Sequence, residues 1–216
     1  MPLFHPADEL LLAHAAGSAT EAVSLLVASH LAFCPGCRRA VAVLEAIGGA
    51  LLERLPPDPL GEDCLPLALA QLDRPGAPDL ARRPAAPAPA RSGALLPRPL
   101  RDYVPDIDAV AWQPASPGFD AAEIPHAGAG PRARLLRLRG GFAVPAHEHG
   151  GLEVLLVLEG ALVDRLRYGR GDVIVAEAGT AHRPQAEAGP ACICLAVLEG
   201  PWRVLESRGR PALMFR

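Results

Sequence analysis

Seven prolines fall between residues 74 and 99, at Pro75, Pro78, Pro84, Pro87, Pro89, Pro97 and Pro99, set mostly among alanine, arginine and glycine. Proline fixes φ and removes a backbone N–H, so neither a regular helix nor a central strand runs through such a stretch. The segment reads as a semi-extended linker. It divides the 216 residues into a unit at 1–73, a linker at 74–102 and a unit at 103–216. Half of the residues are hydrophobic, enough for each unit to bury a core of its own.

The two units differ in hydrophobic period. The first predicts helices: Glu9 to Ala16, Thr20 to Ala32 with Thr20 as N-cap, Cys37 to Leu55, and Glu62 to Leu72 with Pro66 in its first turn. The third carries Val41, Leu44, Leu51 and Leu55 on one stripe, and Pro56, Pro57 and Pro59 end it. The second unit predicts short strands. Leu136 and Leu138 alternate with Arg137 and Arg139, and compact apolar runs span 152–158, 173–175 and 191–198. Glycine turns separate them, among them Gly169-Arg170-Gly171-Asp172. Short strands at this spacing indicate a sandwich or barrel. The expected fold class is therefore two-domain α + β, a small helical bundle followed by a β-barrel.

Charge is divided unevenly. Residues 1–73 hold nine acids and three arginines, a net of −6, whereas residues 74–216 sum to +3. No lysine occurs anywhere, as genomic GC bias would produce. An acidic helical unit is a poor binder of nucleic acid, which needs clustered positive charge. It suits a basic protein partner instead. No basic n-region opens the chain and no run of 18 apolar residues offers a membrane span, so a cytoplasmic protein without a membrane partner is expected. There, five cysteines read as thiols or metal ligands rather than disulfides.

His30, Cys34 and Cys37 form H-x3-C-x2-C. Residues 30 and 34 lie one helical turn apart, and the Pro35-Gly36 step lets Cys37 turn back toward them. An imidazole and two thiolates make a soft site suited to zinc. A redox C-x-x-C pair is the competing reading, but the βαβ pattern that accompanies such motifs is missing. A structural zinc site wants a fourth ligand, and His5 and His14 are the nearest upstream candidates. In these residues the chain resembles the zinc-binding anti-sigma factors of the ChrR type, whose pattern is an early His followed about 25 residues later by H-x3-C-x2-C. The resemblance implies that His5 is the fourth ligand. It also implies that this unit binds an extracytoplasmic-function sigma factor and keeps it from core RNA polymerase. His14 is then left facing solvent or a neighbouring helix, and Cys64 is read as a small buried hydrophobe.

A second pattern runs from Gly141 to Gly160: G-x5-H-x-H-x3-E-x6-G, with His147, His149 and Glu153 at its fixed positions. Residues two apart on a strand share a face, so both histidines can point into a barrel, with Glu153 joining from the next strand. A second stretch from Gly171 reaches Gly179-Thr180-Ala181-His182, and His182 completes a three-His, one-carboxylate set. This resembles the cupins over about residues 103–205. The second stretch departs from the pattern, with Glu177 and Ala178 where Pro is expected and Ala186 where Asn is common, but its His is retained. The set suits a divalent metal, zinc first, with manganese, iron or nickel as alternatives. His126 reads as a surface residue. Cys192 and Cys194 share one face of a strand and read as buried thiols, oxidisable if that face lines the barrel.

The pairing of the two ligand sets, in this order, implies a non-enzymatic anti-sigma factor whose metal-binding cupin serves the response to oxidative stress of the singlet-oxygen or peroxide type. The alternatives are a cupin metalloenzyme (dioxygenase or isomerase type) with a zinc module, and a DNA-binding regulator, which the charge of residues 1–73 opposes.

Overall fold

The computed structural model describes residues 1–72, 95–126 and 130–205. Four helices occupy the first part: α1 (Asp8–Ala15), α2 (Glu21–Phe33), α3 (Pro35–Leu52) and α4 (Cys64–Leu72). Their starts follow from capping chemistry. Thr20 caps α2 by accepting the Val23 N–H at 3.5 Å. The helix expected from Cys37 begins two residues earlier, because Pro35 occupies the first turn, where its missing N–H costs nothing. The Cys34 thiol caps it, accepting the Cys37 N–H at 3.4 Å.

The apolar stripe foreseen on α3 is only half used. Val41 is buried, whereas Leu51 and Leu55 are 61% and 62% exposed. No residue of α4 is buried. Cys64, expected in a core, is exposed, as is every other residue of α4.

A short helix, α5 (Arg98–Arg101), precedes eleven strands: β1 (Gln113–Ser116), β2 (Phe119–Glu123), β3 (Arg132–Leu138), β4 (His147–His149), β5 (Glu153–Glu159), β6 (Leu162–Val163), β7 (Arg167–Tyr168), β8 (Val173–Ala176), β9 (Gln185–Ala186), β10 (Cys192–Leu198) and β11 (Trp202–Val204). The main sheet runs β1-β2-β3-β10-β5-β8, antiparallel throughout. Facing it are two smaller sheets, β11-β4 and β7-β6-β9. This is a cupin-like β-sandwich.

The continuous apolar runs of β5 and β10 have a physical reason: both faces of the main sheet are covered. Leu155, Val157, Cys192, Cys194 and Ala196 point into the sandwich. Their neighbours Val154, Leu156, Leu158, Ile193, Leu195 and Val197 point outward into a second core with Leu25, Leu26 and Val27 of α2. The helical region and the sheet thus share one hydrophobic cluster. Most of the Pro-rich stretch, residues 73–94, lies outside the described residues. Its last part, residues 95–102, is packed rather than extended. Leu95, Leu96 and Leu100 are buried in that shared cluster, and α5 rests on α2. Proline at 97 and 99 is compatible with this, since Pro97 sits just outside α5 and Pro99 within its first turn.

Candidate metal centres

The first centre is built at the α2–α3 junction. His30 lies in the last turn of α2, Cys34 at the break and Cys37 in the first turn of α3. His5 arrives from the N-terminal segment. His30 Nε2 lies 3.3 Å from the Cys37 sulfur, and His5 Nδ1 lies 3.5 Å from both sulfurs. All four ligand atoms fall within 4.8 Å of one another. A tetrahedral ion with Zn–N and Zn–S bonds of usual length has N···S edges of about 3.5 Å, so the set has the dimensions of a zinc site. His30, Cys34 and Cys37 are buried, whereas His5 is exposed.

The protonation states fit a ligand role. His30 Nδ1 donates to the Gly171 carbonyl at 2.8 Å, leaving the Nε2 lone pair facing the thiols. Burial depresses the His30 pKa and so keeps the ring neutral. Burial and the neighbouring Cys34 push the Cys37 thiol up to about 11. Two adjacent thiolates are costly without a cation to neutralise them. His14, the other upstream candidate, is 2.7 Å from Ser24 Oγ through its Nδ1 and so ties α1 to α2.

The second centre lies inside the sandwich. β4 presents His147 and His149 to one side, β5 opens with Glu153, and His182 bridges back to His147 through paired backbone hydrogen bonds. His182 Nε2 stands 2.8 Å from His149 Nε2 and 2.9 Å from His147 Nε2. Glu153 Oε2 is 3.0 Å from His149 Nε2 and 3.4 Å from His182 Nε2. Because His147 Nδ1 donates to the Pro145 carbonyl at 2.8 Å, its Nε2 carries only a lone pair. His182 Nδ1 is 3.4 Å from Asp164, the outer carboxylate partner that metal-bound histidines commonly have. Burial lowers the pKa of His147 to about 4 and that of His182 as well. Lone pairs of neutral imidazoles therefore face one another, and the buried Glu153 Oε2 accepts no hydrogen bond. A divalent cation resolves both conflicts. His126 joins neither group.

An apolar pocket opens onto this centre, lined by Phe119, Leu138, Val144, Leu155, Cys194 and Trp202 beside the ligands. Trp202, from β11, packs edge-on to His147 at 4.3 Å. Cys192 and Cys194 are buried with their sulfurs 3.7 Å apart. Their mutual hydrogen bond and burial raise the Cys194 pKa well above the ordinary range.

Several residues that support these centres carry no motif that points to the role they play here. Gly171, Asp164 and Pro145 act on ligands from outside, and Trp202 covers one. Of these, the sequence singles out only Gly171, as part of the Gly169–Asp172 turn and as the start of the second cupin stretch, and neither reading points to His30.

Fold and sites together define a protein with a His/Cys group in a helical region and a His/Glu group in a cupin-like sandwich, each of which could hold a metal ion. The family profile described as the ChrR Cupin-like domain matches residues 100–201. The anti-sigma-E factor ChrR of Cereibacter sphaeroides is 44% identical over 202 residues, covering 92% of this chain and 91% of that protein. The crystal structure of Rhodobacter sphaeroides SigE in complex with the anti-sigma ChrR matches with a TM-score of 0.76 and 42% identity, covering 91% of this chain and 98% of the matched one. The chain belongs to the ChrR family of anti-sigma factors.

Proposed function

We propose that this chain binds an extracytoplasmic-function sigma factor through residues 1–73 and keeps it from RNA polymerase, while residues from 103 onward form the part that responds to a signal. The observation that carries this reading is an uncovered apolar surface on the helical region. Val43, Ile47 and Leu51 of α3 and Leu65, Leu69 and Leu72 of α4 are all more than half exposed. Clustered exposure of this kind marks a protein-binding surface, and the solved relative is a complex with SigE. The net charge of −6 over residues 1–73 favours a basic partner and repels nucleic acid.

In this reading His5, His30, Cys34 and Cys37 hold zinc as a structural ion that ties the N-terminal segment to the α2–α3 junction. His147, His149, Glu153 and His182 hold a divalent metal, zinc by preference. The apolar pocket beside that second centre admits a small uncharged oxidant to the ligands, which supports a role in oxidative stress. Among the described residues no helix is long and apolar enough to cross a membrane. A sigma-factor partner places the protein in the cytoplasm.

The test is co-purification of the full chain with the sigma factor of its own organism, paired with transcription by the reconstituted holoenzyme. A stable complex that suppresses sigma-dependent transcripts is expected. Absence of both the complex and the suppression would falsify the reading.

A further inference from the structure

The turn between β7 and β8 belongs to the cupin-like part, yet it reaches the first metal centre at three points. The Gly171 carbonyl accepts the His30 Nδ1 proton at 2.8 Å. Asp172 Oδ1 accepts the backbone N–H groups of Leu3 and Phe4 at 2.6 and 3.1 Å. The Val173 N–H donates to the Phe4 carbonyl at 3.1 Å. Residues 3 and 4 lead directly into His5. The segment carrying the one exposed ligand of that centre is therefore fastened to the edge of the cupin sheet.

The turn is shaped for this contact. Gly171 has φ +88°, and a Cβ there would meet Pro2 Cγ at 2.9 Å and Phe33 Cβ at 3.0 Å. Only glycine lets the turn close against both the N-terminal segment and α2. Asp172 is buried, and its other oxygen accepts the Gly169 N–H at 2.8 Å. The turn in turn hangs on β5: Gly171 N–H donates to the Val157 carbonyl and Val157 N–H to the Asp172 carbonyl, at 2.8 and 3.1 Å. β5 is the strand that supplies Glu153 to the second centre.

We infer that the Gly171–Asp172 turn is a latch by which the cupin-like part holds the ligands of the first centre, with Asp172 positioning His5 through Leu3 and Phe4 and the Gly171 carbonyl orienting His30. The inference rests on the reading of His5, His30, Cys34 and Cys37 as a metal centre. Partners of this outer kind change metal affinity by roughly tenfold or more when lost.

The experiment uses the full chain loaded with cobalt(II), whose thiolate charge-transfer absorption reports the first centre alone. Release to excess EDTA is followed in the wild type, Leu3→Pro, Asp172→Ala and the double variant. Leu3→Pro removes one of the two N–H groups that Asp172 Oδ1 accepts and changes no residue of the cupin-like part, so it keeps the test valid should Asp172→Ala disturb its own turn. Each single variant is expected to speed loss of the thiolate band about tenfold. The double variant should be no faster than Asp172→Ala alone, because that substitution already removes the bond that Leu3→Pro removes. Unchanged release in Leu3→Pro, or a double effect equal to the product of the single effects, overturns the latch. A wild-type chain that takes up cobalt without a thiolate band overturns the underlying metal reading instead.

Discussion

His149 and His182 face each other through Nε2 atoms 2.8 Å apart, with Glu153 Oε2 3.0 and 3.4 Å from them. Two buried imidazoles and a buried carboxylate converging in this way form a donor set suited to a divalent cation. His149→Ala is therefore expected to cost the chain one of its two ions, with the other retained at the cysteine centre. Metal content by mass spectrometry checks this. The same variant should still bind and inhibit the sigma factor but fail to release it under oxidative stress. Loss of basal inhibition would show that the two centres do not divide the labour in this way.

Cys34 has a double part, as a ligand-set member and as the N-cap of α3. Cys34→Ala removes both, and the thiol cap contributes less than the roughly 1 kcal/mol of an oxygen cap because sulfur is a weak acceptor. A structural ion supplies much more of a small unit's folding free energy. The variant should lose helical circular dichroism and sigma inhibition together, while Cys34→Ser, which can still cap, should lose metal with a smaller loss of helix. Equal effects of the two substitutions would remove the capping contribution.

The helices and the cores of both candidate sets, His30-Cys34-Cys37 and His147-His149-Glu153, were readable because they rest on short-range rules: caps, proline positions and spacings of two to four residues, whereas His5 was singled out only by the family resemblance. What escaped was long-range. Nothing local shows that α2 covers the outer face of β3, β5 and β10, although the unbroken apolar runs of β5 and β10 carried the hint, since a strand with one wet face alternates. Leu95, Leu96 and Leu100 were hidden by the prolines around them. The exposure of Cys64 and Leu51 was equally hidden, because a helix face meant for another protein has the same composition as one meant for a core. The contact of His30 with Gly171 spans too much chain, and uses a backbone carbonyl, which no side-chain motif encodes.

The shared core makes a mechanical prediction. Leu26 is 1% exposed and belongs to the cluster that joins α2 to the sheet. Leu26→Ala should destabilise the chain by ~2–5 kcal/mol, the usual range for a buried leucine. The loss should appear in the melting of helical and sheet signals alike. A transition in which only the helical signal shifts would mean that the two parts unfold independently.

Thiol reactivity separates the five cysteines. Cys64 is exposed on α4, whereas Cys192 and Cys194 are 1% and 0% exposed. The raised pKa of Cys194 keeps it a thiol, and thiols react poorly. In the metal-loaded chain iodoacetamide should label Cys64 first, and the sigma factor should shield it if α4 lies in the interface. Prompt labelling of Cys194 would instead revive it as an oxidant-sensing group beside the second centre.

Acid should empty the two centres in a fixed order. Protons compete with a metal for its ligands, and the competition strengthens as a ligand's own pKa rises. Burial and Cys34 raise the Cys37 pKa to about 11, so this thiol regains its proton readily once the ion loosens. Burial lowers the His147 pKa to about 4 and also lowers that of His182, so these imidazoles refuse protons until the solution is distinctly acidic. As pH falls from 7 toward 4, the cysteine centre is therefore the first to release its ion. In the cobalt-loaded chain the thiolate charge-transfer band should fade at a higher pH than the visible d–d absorption of the histidine–carboxylate centre. The reverse order would mean that the binding energy of the thiolate pair outweighs the proton competition set by burial.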